Sequence, residues 1–152
     1  MKENIKTYKV GKYTVKEYSN GDKLWYLNGK CHRKNGPACE YNNGDKSWYL
    51  NNKLHREDGP AIEWANGNKV WYLYGKYHRE DGPAVEWSNG DKLWYINGKL
   101  HREDGPAKEY TNGNKHWYFN GKKYTEFEFN AIKIFKNLKP RKILNAINEL
   151  EI

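Results

Sequence analysis

The run Trp94-Tyr95-Ile96-Asn97-Gly98-Lys99-Leu100-His101-Arg102-Glu103-Asp104-Gly105-Pro106-Ala107 decides the fold, because the chain spells it several times. Trp25, Trp48, Trp71, Trp94 and Trp117 recur every 23 residues, and His32, His55, His78 and His101 keep the same step. A fixed period of this length marks a repeat architecture, in which one supersecondary unit stacks on the next.

Each period carries two turn signals. One is Asn-Gly between extended runs, at Asn43-Gly44, Asn66-Gly67, Asn89-Gly90 and Asn112-Gly113. Asn-Gly suits the positive φ of a two-residue type I′ turn, which is the strongest short-range hairpin signal. The other is Asp-Gly-Pro at 58–60, 81–83 and 104–106, with Asn35-Gly36-Pro37 as the first version. Gly permits φ > 0 and Pro cannot continue a ladder, so the unit reads as a hairpin followed by a returning loop.

A two-residue turn at Asn43-Gly44 fixes a register: Tyr41 opposite Lys46, Cys39 opposite Trp48, Ala38 opposite Tyr49. Alternation then puts Tyr41, Cys39, Trp48 and Leu50 on one face, and Glu40, Ser47, Ala38 and Tyr49 on the other. On this reading the five tryptophans form an apolar face. Tyr18, Tyr41, Trp64, Trp87 and Tyr110 join that face, and the opposite face carries tyrosines such as Tyr49 over Glu17, Glu40, Glu63, Glu86 and Glu109.

Three parts follow: a Lys-rich lead-in (1–12), frayed or an extra edge strand; a hairpin array of about five hairpins (13–124), opening on a half copy at Val15; and a helical cap (125–152). The fold class is mainly β, a single elongated, twisted antiparallel sheet of stacked hairpins. The cap starts at a capping box, Thr125 with Glu128 three residues on. Phe127, Ala131, Ile134, Phe135 and Leu138 follow at helical spacing, then Lys139-Pro140, then Ile143, Leu144, Ile147 and Leu150. Two helices or one broken helix are expected to cover the open end of the sheet.

Composition agrees. A mean hydropathy of −1.17 alone would suggest disorder. The 7 Trp, 13 Tyr and 4 Phe supply the burial instead. The net charge of +8 sits at the two ends: residues 31–121 hold 13 basic and 12 acidic side chains. A nucleic-acid reader working along the repeats would carry a basic stripe on them, and by count this array does not.

The wording Asn97-Gly98-Lys99-Leu100-His101, followed by Gly and a short strand ending in Asn-Gly, resembles the MORN repeat. Here Arg-Glu-Asp-Gly-Pro-Ala replaces that family's glycine run after His. The His-Arg-Glu-Asp-Gly-Pro-Ala variant is similar to repeats encoded by large phages and giant viruses. The resemblance covers roughly residues 13–130. It implies stacked hairpins in an elongated sheet, and a protein that binds proteins, scaffolds them or contacts lipid.

Candidate chemistry is thin. Equivalent positions in successive repeats lie roughly 10 Å apart, too far for their histidines to share a zinc ion with bonds of about 2 Å. Each His reads as a structural ring whose nitrogens bond loop backbone. The Arg-Glu-Asp trios read as Arg–Asp bridges between repeats. Cys31 and Cys39 read as small buried hydrophobes, since Leu54, Tyr77 and Leu100 take the first place in other copies, and Ile62 and Val85 the second. Regular aromatics can stack bases, but they also build a repeat core, and the Trp rows read as core.

No catalytic residue, metal site or cofactor is expected. The expected function is non-catalytic binding. The phage-like wording suggests an inhibitor that binds and blocks a host defence protein. The alternatives are a nucleotide or RNA sponge using the aromatic face and basic ends, and a lipid-contacting scaffold. The candidate contact residues are Tyr26, Tyr49, Tyr72 and Tyr95 with Glu63 and Glu86, and the basic set Lys133, Lys136, Lys139, Arg141 and Lys142. A host protein is the favoured partner, RNA or nucleotide the alternative, and a membrane is disfavoured. A homodimer through the sheet edge or C-terminal helix stays open. The polar start (Met1–Val10) lacks a signal-peptide core, no apolar run is long enough to span a membrane, and the two cysteines suggest no disulfide framework. The expected location is the cytoplasm, the host's if the chain is phage-encoded.

Overall fold

A computed structural model of the chain describes residues 5–137. They form one long antiparallel sheet of 13 strands that meanders in chain order and does not close. Its first strand, Ile5–Val10, pairs with Tyr13–Tyr18, so this part of the lead-in is an edge strand. The last is Lys122–Tyr124, which leads through Thr125 into the helix Glu126–Asn137.

Each 23-residue unit makes two hairpins, not one. In the second full unit the first hairpin pairs Ile62–Glu63 with Lys69–Val70, and the other pairs Tyr72–Leu73 with Lys76–Tyr77. The returning His-Arg loop then leads to the next copy. Successive units are stitched on both sides. Arg56 N–H donates to Tyr72 O at 3.1 Å, and Arg79 N–H to Tyr95 O at 3.1 Å. At the turn side, Asp45 Oδ1 accepts from Ala65 N–H at 2.8 Å, and Asn68 Oδ1 from Ser88 N–H at 2.8 Å.

The type I′ turns are not where Asn43-Gly44 placed them. They lie at Asn28-Gly29, Asn51-Asn52, Tyr74-Gly75, Asn97-Gly98 and Asn120-Gly121, where both central residues have positive φ. At Asn43-Gly44 the Gly44 N–H donates to Tyr41 O, and Gly44 alone takes a left-handed φ of 92°. That is a three-residue loop closed by a bulge. Asn43 has a different duty there: its Oδ1 accepts from Asp45 N–H two residues on, at 3.0 Å.

The longer loop shifts the register by one residue and corrects the expected faces. Cys39 opposes Ser47, and Glu40 opposes Lys46. Trp48 N–H donates to Ala61 O, which continues the Ser47–Ile62 pairing by one step. Trp25, Trp48, Trp71, Trp94 and Trp117 therefore share a face with the glutamates. Tyr18, Tyr41, Trp64, Trp87 and Tyr110, expected beside them, lie with Tyr26, Tyr49, Tyr72 and Tyr95 on the opposite face.

Two rows build the tryptophan face. In one, Trp48, Trp71 and Trp94 alternate with Ala38, Ala61, Ala84 and Ala107, all four alanines being 0% exposed. Only a methyl fits between neighbouring indoles. In the other, Lys and Glu alternate strand by strand from Lys6 through Glu17, Lys23, Glu40, Lys46, Glu63, Lys69, Glu86, Lys92 and Glu109 to Lys115. Opposite charges facing across strands contribute about 0.2–1 kcal/mol per pair, and the ladder sets register along the whole sheet.

The helix begins at the expected capping box: Glu128 N–H donates to Thr125 Oγ1, and Thr125 N–H to Glu128 Oε2. Two members of its expected apolar stripe turn to solvent. Phe127 is 83% exposed and Ile134 60%, whereas Phe129 is 4% exposed. Thr125 follows directly on the last strand, so the entry angle brings Phe129 inward. Periodicity alone cannot choose between two overlapping apolar sets. Leu138 and the second stripe (Ile143, Leu144, Ile147, Leu150) lie outside the described residues.

Candidate binding surface

On the tryptophan face, the Arg of each returning loop is the keystone. The guanidinium carbon of Arg33, Arg56, Arg79 and Arg102 sits 3.7, 4.1, 4.0 and 4.0 Å from the ring centre of Trp25, Trp48, Trp71 and Trp94. The same guanidinium bonds a glutamate of the charge ladder: Arg56 to Glu63 at 2.8 Å, and Arg79 to Glu86 at 2.7 Å. It also donates to the carbonyl of the loop proline, Pro60 or Pro83, at 3.2 Å. Arg56 Nε reaches Asp58 at 2.8 Å and Arg79 Nε reaches Asp81 at 2.9 Å. These Arg–Asp bridges lie inside one loop and do not join two repeats as expected. Arg56, Arg79 and Arg102 hold Asp58, Asp81 and Asp104 below the usual carboxylate range through a direct hydrogen bond.

The histidines lock one unit to the next. Nδ1 of His55, His78 and His101 accepts the backbone N–H of Tyr74, Asn97 and Asn120 at 3.1–3.2 Å. These donors sit in the type I′ turn of the following copy, so the rings do bond loop backbone. On the other side of the ring, Nε2 faces Glu57, Glu80 and Glu103 at 3.5, 3.6 and 3.7 Å. Among the described residues, no three His, Cys, Asp or Glu side chains are grouped to hold a metal ion.

Successive loops leave open clefts between them. The first, of about 880 Å³, lies between the loops at 32–38 and 55–61; later ones of about 810 and 720 Å³ lie between the loops that follow. A Trp and a Leu or Ile form each floor, and loop charges form the walls.

The opposite face is aromatic. Tyr72 and Tyr77 have ring centres 4.5 Å apart, and Tyr77 stacks on Tyr95 at 4.9 Å. Trp64 and Trp87 stack at 6.0 Å. Burial and neighbouring phenols raise Tyr26, Tyr72 and Tyr95 above the usual tyrosine range, and burial with the Cys39 and Cys31 thiols raises Tyr49. Burial, followed by the Cys39 thiol, pushes Tyr41 up to about 12. Beside these rings the Cys31 and Cys39 sulfurs lie 3.5 Å apart. Their mutual hydrogen bond and burial raise Cys31, while the same bond draws Cys39 down. The cysteines thus form a contacting thiol pair, which comparing copies one position at a time did not reveal.

The expected contact set divides between faces. Tyr26, Tyr49, Tyr72 and Tyr95 lie half-buried on the aromatic side. Glu63 and Glu86 lie on the tryptophan side, bonded to Arg56 and Arg79. Lys133 is exposed on the helix, which also carries Lys136; Lys139, Arg141 and Lys142 lie outside the described residues. Sequence reasoning missed Tyr77 and the Trp64–Trp87 stack. Tyr77 had a signal, since Cys31, Leu54 and Leu100 hold that place in other copies.

No family model matches this chain, and no curated protein matches it. No helix among the described residues is long and apolar enough to cross a membrane.

Proposed function

We propose that the chain is a non-catalytic repeat-built binding protein that docks a protein partner on its aromatic face. The Tyr72–Tyr77–Tyr95 stack carries this reading, because it presents rigid amphipathic rings at low entropic cost. Tyr77 and Trp87 keep more than a third of their surface exposed, so the face offers area as well as order. The phage-like repeat wording makes a host defence protein the first to test.

Tagged chain would be used to capture protein from a host lysate, beside a variant carrying Tyr77→Ser and Trp87→Ser. Recovery of one stoichiometric partner by the parent and not by the variant supports the reading. Equal recovery by both, or no partner from any candidate host, refutes it. Copurifying nucleic acid, seen as a raised 260/280 nm absorbance ratio, would favour the sponge alternative, and cosedimentation with vesicles would favour the lipid scaffold.

A further inference from the structure

The four returning loops are internal controls for one another, and the first differs. Those at 55–61, 78–84 and 101–107 read His-Arg-Glu-Asp-Gly-Pro-Ala; that at 32–38 reads His-Arg-Lys-Asn-Gly-Pro-Ala. In the later loops both carboxylates have duties. Asp58, Asp81 and Asp104 cover the Nε edge of their Arg at 2.7–2.9 Å, and the Glu faces His Nε2. Lys34 and Asn35 replace both in the first loop.

Arg33 keeps the bonds that fix it, to Pro37 O at 3.0 Å and Glu40 at 2.7 Å, and still stacks on Trp25. Its Nε edge has no partner among the described residues. His32 holds the usual place, with the Asn51 N–H on Nδ1 at 3.3 Å and the Asn51 amide oxygen beside it, but has no loop carboxylate beyond Nε2. The loop backbone also changes, since Gly36 adopts φ 129° where Gly59, Gly82 and Gly105 are not left-handed.

His32 and Arg33 both line the largest of the three clefts. The two later clefts each carry two arginines against four carboxylates. The first carries Lys12, Arg33, Lys34 and Arg56 against only Glu57 and Asp58. Lys12 is held there through Tyr13: its ammonium lies 5.6 Å from that ring, whose hydroxyl accepts Lys34 N–H at 3.3 Å. The floor is apolar, made by Leu27, Trp48 and Leu50. A volume of about 880 Å³ falls within the usual range for small-molecule sites.

We infer that this N-terminal cleft binds a small organic phosphate, whose phosphate takes the place of the two missing carboxylates. A phosphate monoester carries close to two negative charges and several acceptor oxygens, matching the Glu-Asp pair it replaces. Arginine's planar fork suits it, and the lysines add point charge. The organic part lies on the apolar floor. The same chemistry is absent from the later clefts, where the protein's own carboxylates occupy the donors, so one site per chain follows. This site is away from the Tyr72–Tyr77–Tyr95 stack, and its ligand does not depend on the partner proposed there.

Calorimetric titration of the full chain in low-salt, phosphate-free buffer would compare AMP, adenosine and inorganic phosphate. The expected result is one site for AMP, at least tenfold tighter than for adenosine or phosphate alone. Lys34→Glu with Asn35→Asp writes into the first loop the Glu-Asp that three other loops already accommodate. It should weaken AMP at least tenfold with an unchanged circular dichroism spectrum. The converse change, Glu80→Lys with Asp81→Asn, should raise the AMP stoichiometry toward two. Binding of AMP that survives Lys34→Glu/Asn35→Asp, equal affinity for AMP and adenosine, equal affinity for AMP and inorganic phosphate, or no AMP binding at millimolar concentration would each overturn the inference.

Discussion

Removing the Arg79 side chain tests how a single-layer sheet holds itself together. Arg79 sits mid-array, 4.0 Å from the Trp71 ring centre, with 21% of its side chain exposed. Four interactions end in Arg79→Ala, and the one to Asp81 adds least because Asp81 is in open solvent. The cation–π contact accounts for about 1 kcal/mol, between the exposed and desolvated limits. The bonds to Glu86 and Pro83 O are charge-assisted, but Glu86 is 34% exposed, so solvent screening holds them to about 1–1.5 kcal/mol together. Losing the stem uncovers part of the indole and adds a few tenths of a kcal/mol. The expected cost is about 2.5 kcal/mol, and about 1 kcal/mol for Arg79→Lys, which keeps charge without the planar fork. Asp81→Asn should cost least of all, because Asp81 is in open solvent. Urea unfolding followed by tryptophan fluorescence measures this, with the slope checked for constancy because repeat arrays can unfold in parts. A double-mutant cycle with Glu86→Gln should show coupling of about 1 kcal/mol. A cost for Arg79→Ala below about 0.5 kcal/mol at unchanged slope would refute the keystone role. So would an equal loss from Asp81→Asn.

Asn97 has φ 52°, so Asn97→Ala should cost about 1–2 kcal/mol in the same assay, while Asn97→Gly, which tolerates that backbone, should cost under about 0.5 kcal/mol. Ala84, 0% exposed in the Trp/Ala row, leaves no room for added carbons; Ala84→Leu should lose about 1–3 kcal/mol or more by overpacking, read as a lowered urea midpoint. Several partly desolvated tyrosines are raised in the fold, so the unfolded chain releases their protons first as pH climbs. Stability from them is whole below pH of about 10, then falls as pH rises toward about 12 and beyond. Absorbance at 295 nm should show a group of phenols, Tyr41 among them, ionising later than the rest, and a single titration near 10 would contradict the burial.

The 23-residue period makes the elongated hairpin sheet legible, and the Thr125–Glu128 capping box makes the helix start legible. The faces were not legible, because both Asn-Gly positions look alike as text. In Asn97-Gly98 the asparagine itself adopts positive φ; in Asn43-Gly44 it stays on the other side and bonds Asp45 N–H, leaving the left-handed backbone to Gly44 alone. One extra residue in the loop moves every side chain to the other face. That slip separated Trp48 from Glu63 on paper, and with it hid the arginine that joins them. The Lys row was visible in every copy but gains meaning only once Lys46 is known to lie opposite both Glu40 and Glu63.

Departures among the copies carry more functional information than their agreement. Positions that never change across units, such as Trp, Ala and the loop Arg, are those that the stack needs in order to exist, since every unit meets the same neighbours. Tyr77 lengthens a position filled elsewhere by Leu or Cys, and buys an exposed ring stack on one side of the sheet. Tyr74 holds φ 50° where other copies use Asn, and stacks on His55 at 4.2 Å, a conformation costly for a bulky residue. Lys34 and Asn35 remove two carboxylates from the first loop, whose Gly36 also turns to φ 129°. The Tyr74 change strains its own backbone, although its ring contacts the preceding unit. Tyr77 is also partly exposed, and Lys34 lines a cleft open to solvent. Positions that depart from the repeat and are reachable from outside are therefore the ones at which the two proposals are tested, Tyr77 for the docking face and Lys34 for the N-terminal cleft.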